Sequence, residues 1–215
     1  MIDIAQAVEE FWRSRERGVY FPPEWEDRLT VDDAYHVQLG MMERHVALGA
    51  RHVGWKVGLT AEPIQRQFRL DEPVFGYLLD EAPHPDGASF RFDELISPGV
   101  ENEICMTMGS DLSGPIVTED DALAAVALVQ PSLEITEARG DFTRHLPLAL
   151  ADNAQQKAIV QGRPTPLGPG ELDLRKVRVA VSINGEQVAE GVGESVMGHP
   201  IRSVVWLANK LSAYG

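Results

Sequence analysis

The stretch Pro98-Gly99-Val100-Glu101-Asn102-Glu103-Ile104-Cys105-Met106 sets two carboxylates one residue apart at the head of an apolar run. An apolar run of this length, opened by Pro-Gly, reads as a β-strand. Side chains alternate along a strand, so Glu101 and Glu103 project from one face. Two like charges side by side repel, and burying either alone is costly. Such a strand therefore either leaves that face in water or offers it to a cation. Hard divalent ions take oxygen ligands and neutralise both carboxylates. An isolated Glu-x-Glu is more often a solvated edge, because exposed acids are the norm. The rest of the chain decides between the two.

The chain has 215 residues, enough for one large domain or two small ones. With 33 acidic against 19 basic residues, the net charge of -14 repels phosphate backbones. No Lys/Arg stripe overrides it, so nucleic acid and anionic membrane surfaces are not expected partners. An acidic protein that handles a small anion needs local positive charge, and a bound metal is one source. A single cysteine, Cys105, leaves no internal disulfide framework and fits a reducing cytoplasm. Cys105 reads as a small core residue. The first residues lack a signal-peptide pattern, and no apolar run reaches a membrane-spanning length, so a soluble cytoplasmic protein is expected.

Apolar spacing predicts a helix from Ile4 to about Arg15, broken by Tyr20-Phe21-Pro22-Pro23. Thr30 with Asp33 reads as a capping-box start for a second helix that Gly49 ends. The texture then turns β-like, at Val53–Thr60, Phe75–Leu79 and Glu101–Met108. A helix over Ala122–Val129 and a strand over Ser132–Thr136 are expected, then a polar helix or loop around Leu148–Val160. Arg163–Gly170 reads as a Pro/Gly-rich connection. Asn184-Gly185 marks a hairpin between Val177–Ile183 and Gln187–Val192, and Ile201–Leu211 reads as a last helix. Helices first and then mostly strands indicate an α+β fold.

Glu134, in Ser132-Leu133-Glu134-Ile135, is a third acid in an apolar strand context. Lys56, amid Trp55 and Val57, is either a strand lysine facing water or one held near a carboxylate or enolate for proton transfer. No histidines stand at H-x-x-x-H spacing, and there is no G-x-S-x-G, G-x-G-x-x-G or phosphate-binding loop. His199 reads as a turn and cap residue.

Five segments occur in an informative order: Gly54-Trp55-Lys56-Val57-Gly58-Leu59-Thr60, Glu101-Asn102-Glu103-Ile104, Pro131-Ser132-Leu133-Glu134-Ile135, Ala151-Asp152-Asn153-Ala154, and Gly198-His199-Pro200 with Val205-Trp206-Leu207-Ala208-Asn209. Together they resemble the hydratase/decarboxylase branch of the fumarylacetoacetate hydrolase superfamily over nearly the whole chain. The resemblance implies N-terminal helices, residues 1–52, before a mixed, curled β-sheet core, residues 53–215, that carries metal and activity. It implies Mg2+ or Mn2+ held by Glu101, Glu103 and Glu134, with Lys56 and Asp80 transferring protons. Gln155 stands where the family usually has serine, at a substrate-binding position. Gly99 stands where a basic residue is common.

The implied activity is a metal-dependent lyase adding water to 2-hydroxypenta-2,4-dienoate-type acids, giving 4-hydroxy-2-oxo acids in aromatic catabolism. The alternatives are 4-oxalocrotonate (2-oxohex-3-enedioate) decarboxylation, which shares the metal-stabilised dienolate, and a non-catalytic partner subunit. Implied partners are the small unsaturated 2-oxo or 2-hydroxy acid, further copies in a homo-oligomer, and a related decarboxylase or hydratase. The family continues past the last helix into a Gly-Asp…Thr-Gly strand region. With the chain stopping at Tyr214-Gly215, those C-terminal strands are expected to be absent.

Overall fold

The computed structural model describes residues 2–167 and 172–214. Helices α1 (Ile4–Glu16) and α2 (Val31–Ala47) come first. Then follow β1 (His52–Gly58), α3 (Glu62–Phe68), β2 (Val74–Leu79), β3 (Pro83–Pro85) and β4 (Pro98–Met108). The remainder is α4 (Glu119–Ala125), β5 (Val126–Glu137), α5 (Leu146–Ala151), β6 (Gln156–Gln161), β7 (Thr165–Pro166), β8 (Arg178–Ile183), β9 (Glu186–Val192) and α6 (Ile201–Leu211). The α+β class expected from the element order is what the chain adopts. β1 pairs antiparallel with β2, a second sheet runs β3-β6-β5-β4 with β7 beside β5, and β8 pairs with β9. Among the described residues no helix is long and apolar enough to cross a membrane.

The chain divides into two units, each assembled from three stretches. The first comprises Met1–Gly58, Val74–Glu101 and Glu134–Val160. Its core forms where α1 and α2 bury Ala7, Phe11, Ala34, Tyr35 and Val37. Gly40 of α2 lets α1 approach closely, since a Cβ there would lie 2.5 Å from Val8 Cγ2. The Tyr35 ring stacks on Phe75 of β2 with centroids 4.1 Å apart. Buried Gln38 donates from Nε2 to Phe75 O at 3.1 Å and Leu150 O at 2.7 Å, tying α2 to β2 and α5. A buried amide that joins three elements this way specifies one arrangement of them.

The second unit comprises Leu59–Pro73, Asn102–Leu133 and Gln161–Gly215. Val117, Ala122, Val126, Val129, Leu174 and Ile201 form its core, with Val204, Val205 and Ala208 of α6 packed against it. Asn209 fastens α6 by accepting from Val117 N and donating to Val117 O. His199 Nδ1 accepts from Ile201 N at the start of α6, the capping role read from its position. Cys105 is half-buried, with the Gln161 and Gln130 amides 3.3 and 3.6 Å from its Sγ.

The capping box at Thr30 is present: Asp33 N donates to Thr30 Oγ1, and Asp33 Oδ2 accepts from Thr30 N. Asn184 and Gly185 both have positive φ, as a tight hairpin turn requires. Two expectations are corrected. The helix expected over Ala122–Val129 spans Glu119–Ala125 and gives way at once to β5, because the valines from Val126 onward bury well in a sheet. The polar region at Leu148–Val160 resolves into α5, a tight turn and strand β6. Of the Arg163–Gly170 connection, Thr165–Pro166 forms β7, and Gly168 to Gly170 lie outside the described residues.

Candidate metal centre

On β5 burial alternates from Ser132 to Glu134, with Leu133 between them 38% exposed; Ile135 and Glu137, of the opposite parity, are buried as well. This register turns Glu134 inward, at 3% exposure. On β4, Glu101 and Glu103 project together and are exposed. One carboxylate oxygen from each of Glu101, Glu103 and Glu134 lies within 4.8 Å of the others. Oxygen ligands of one divalent ion stand about 2.0–2.6 Å from it, hence within about 5 Å of one another. The three acids meet that requirement as folded.

Lys56 enters on β1. It pairs in register with Gly76 of β2, and its stem lies over the missing side chain of that glycine. A Cβ on Gly76 would be 3.4 Å from Lys56 Cγ. Lys56 Nζ stands 3.0 Å from Glu134 Oε1 and 3.3 Å from Oε2, with only 11% of the lysine side chain exposed. The strand lysine thus sits against a carboxylate rather than in water. Burial pushes the Glu134 carboxyl up from its ordinary value; Lys56 opposes this, and the Glu101 charge adds to it. Among the described residues the contact of the buried Glu134 Oε1 is the Lys56 ammonium. A buried carboxylate oxygen so placed, beside two further carboxylates, suits a hard cation.

The structure brings Glu101, Glu103, Glu134 and Lys56 together. Asp80 stands at the end of β2, four residues beyond Gly76, roughly 13 Å along a strand. It accepts from Arg51 N at 3.1 Å and Arg51 Nε at 3.0 Å, which hold its carboxyl below the usual range. Gln155 is buried and donates from Nε2 to Gly140 O at 2.8 Å.

Residues beyond the sequence-based set form a second charged cluster. Arg139, almost fully buried, donates to Asp152 Oδ2 at 2.5 Å and Glu137 Oε2 at 3.0 Å. Arg15 reaches Asp152 Oδ1 at 2.8 Å. Both guanidiniums lie over Tyr20, at 5.1 Å for Arg15 and 5.3 Å for Arg139. The Ala151-Asp152-Asn153-Ala154 segment was visible in sequence as a motif, but its partners are remote in the chain.

Comparison with known proteins gives a consistent set of relatives. A 2-hydroxyhexa-2,4-dienoate hydratase of Comamonas testosteroni is 40% identical over 190 residues, covering 87% of this chain and 72% of its own. A 2-keto-4-pentenoate hydratase of Paraburkholderia xenovorans is 39% identical over 188 residues, covering 87% and 70%. The solved 4-oxalocrotonate decarboxylase from Pseudomonas putida G7, complexed with magnesium and adipate, superposes with a TM-score of 0.91 at 31% identity. That superposition takes in 100% of this chain and 84% of the decarboxylase chain. No family model matches the chain.

Proposed function

The chain belongs to the hydratase/decarboxylase branch of the fumarylacetoacetate hydrolase superfamily, and from that premise we propose that it is a divalent-metal-dependent hydro-lyase. Its substrate would be a 2-hydroxypenta-2,4-dienoate-type acid, and its product the 4-hydroxy-2-oxo acid formed by adding water. The observation that carries this reading is the convergence of Glu101, Glu103 and Glu134 with Lys56 on the buried carboxylate.

Glu101, Glu103 and Glu134 would hold Mg2+ or Mn2+, which when bound supplies a Lewis acid for the substrate's carboxylate and 2-oxygen. Glu101 and Glu103 are exposed, so the open side of the cluster is where a small acid arrives. Glu134 anchors the Lys56 ammonium on the buried side. There Lys56 carries a proton that it can deliver to, or take from, the substrate carbon skeleton during tautomerisation. Asp80 is the second proton-transfer group of the proposal, kept ionised by Arg51. Asp80→Asn keeps its shape and removes its charge; an unchanged kcat takes it out of the scheme. Gln155 is assigned to substrate binding.

The two hydratases named above, at 39–40% identity, exceed the decarboxylases at 36%, while other hydratases among the relatives span 31–36%; the first comparison favours hydration. The close superposition on a decarboxylase keeps that reaction as the second reading. Protein loaded with Mn2+ should consume 2-hydroxypenta-2,4-dienoate and form 4-hydroxy-2-oxopentanoate, and Glu103→Gln should abolish this. Running 2-oxohex-3-enedioate alongside while measuring carbon dioxide separates the two reactions. Failure of both substrates overturns the enzyme reading. The proposal includes a homo-oligomer or a complex with a decarboxylase of the same branch, which light scattering on the purified protein tests.

A further inference from the structure

Asn153, Ala154 and Gln155 are three successive non-glycine residues with φ of 56°, 48° and 59°. Left-handed backbone costs about 1–2 kcal/mol for each non-glycine residue, so surrounding structure must enforce it. The enforcing contacts are specific. Arg139 brackets the turn, donating from Nη2 to Asp152 O at 3.0 Å and from Nη1 to Gln156 O at 3.3 Å. Its Nε holds the Asp152 carboxylate, and Gln155 Nε2 ties the turn to Gly140 O.

The turn delivers one side chain to β2. Asn153 Oδ1 accepts from Tyr77 N at 2.8 Å, and Asn153 Nδ2 donates to Tyr77 O at 3.0 Å. This is the pair of bonds that a neighbouring strand would make, supplied on the edge of β2 that faces away from β1. The same side chain closes over Gly76, whose added Cβ would lie 2.9 Å from Asn153 Oδ1 and 3.2 Å from Asn153 O. Lys56 lies over that glycine from β1, in register with it. Asn153, Gly76 and Lys56 are therefore in van der Waals succession, and Lys56 ends on Glu134.

We propose that Asn153 is a positioning residue: the Arg139-clamped turn presses its amide onto the Gly76-Tyr77 backbone, which fixes β2 beneath Lys56 and holds the ammonium on Glu134. The assignment rests on the role proposed above for Lys56, and its test has an arm that does not.

Asn153→Ala removes the amide and strains the turn further. Asn153→Gly removes the amide and relieves the turn. If the amide positions Lys56, both variants lose kcat by about 10- to 100-fold, with KM and Mn2+ affinity within about threefold of the parent. The independent arm uses metal-free protein. The chain has four lysines, so acetylation by a water-soluble acylating reagent can be followed at each by peptide mass spectrometry. Lys56 should be acetylated several-fold faster in both variants, with Lys176, 82% exposed, as the internal reference.

Parental Lys56 labelling in folded Asn153→Gly overturns the proposal, as does loss of kcat in Asn153→Ala alone, which would assign the effect to the turn. Should neither variant fold, Asn153→Asp keeps the acceptor for Tyr77 N and loses the donor. An intermediate rise in Lys56 labelling then supports the proposal, and an unchanged rate overturns it. If the parent protein hydrates no dienoate, the proposed activity fails while the labelling arm still decides the role of Asn153.

Discussion

Lys56 and Glu134 form an ion pair at 3.0 Å in which the lysine side chain is 11% exposed and the glutamate 3%. They are 78 residues apart and come from two different sheets. Buried pairs of this kind are poor sources of net stability, because desolvation of both charges offsets their attraction. Such a pair is better read as part of a site that must keep charge where water is scarce. Glu134 is also within ligand distance of Glu101 and Glu103, so one carboxylate serves the ammonium and the candidate metal position.

Removing one partner should expose that cost. Lys56→Met leaves Glu134 buried beside Glu101, and should destabilise the fold by about 3–5 kcal/mol at neutral pH. Adding Glu134→Gln removes the orphaned charge and should recover more than half of the loss. Urea midpoints of the parent, both single variants and the double variant give the coupling. Equal and additive losses would show that the pair is not coupled.

Glu103 behaves oppositely in the absence of metal, since it is exposed. Glu103→Gln should leave metal-free stability within about 0.5 kcal/mol of the parent. Adding Mn2+ at about a hundred times its Kd should stabilise the parent by about 2.7 kcal/mol, and the variant by much less. Thermal melts with and without Mn2+, and with chelator as control, measure both quantities. An identical Mn2+ response in the two proteins would remove Glu103 from the ligand set.

How much of this was legible in sequence follows from range. The Thr30 capping box, the Asn184-Gly185 hairpin and the strand around Glu134 are set by residues within a few positions, and the sequence declares them. The α4–β5 junction hides because no turn residue separates Ala125 from Val126, so an unbroken Ala/Leu/Val run carries both elements. Helix α3 hides because it is only seven residues long and ends on Arg69 at φ 56° instead of on a glycine. The partners of Arg139, Asp152 and Asn153 hide for another reason. Asn153 reaches Tyr77 across 76 positions and Arg15 reaches Asp152 across 137, pairings that only the folded chain brings about. The three carboxylates were legible as acids in apolar strands; their convergence was legible only through the family resemblance, because spacing alone does not bring Glu134 to the pair.

Tyr77 sets an alkaline limit on stability. Burial pushes its phenol from 10.0 up to about 12, with Arg15 and Arg139 pulling it back. The folded value exceeds the unfolded one, so the folded state holds the proton more tightly. The contribution is complete below about pH 10 and is lost as pH rises from about 10 to 12. Two pH units correspond to about 3 kcal/mol. Urea midpoints should fall between pH 10 and 11 in the parent and fall less in Tyr77→Phe. Parallel curves would mean that another group governs alkaline unfolding.

Gly76→Ala tests the packing of the site with a single methyl group. The φ of Gly76 is not the obstacle; space is. The added Cβ would stand 2.9 Å from Asn153 Oδ1, 3.2 Å from Asn153 O and 3.4 Å from Lys56 Cγ. The Asn153 side chain cannot move aside without breaking its two bonds to Tyr77, and its carbonyl belongs to a turn clamped by Arg139. The strain should therefore reach β2 and Lys56, destabilising the protein by about 1–3 kcal/mol. Activity should fall further than the loss of folded protein explains, because Lys56 is displaced from Glu134. Gly54→Ala on β1 is the matched control: its Cβ would meet only Leu78 Cδ1, at an ordinary 3.8 Å. Comparing kcat per folded molecule for the two variants checks the argument, and equal values would show that the contact over Gly76 does not reach the lysine.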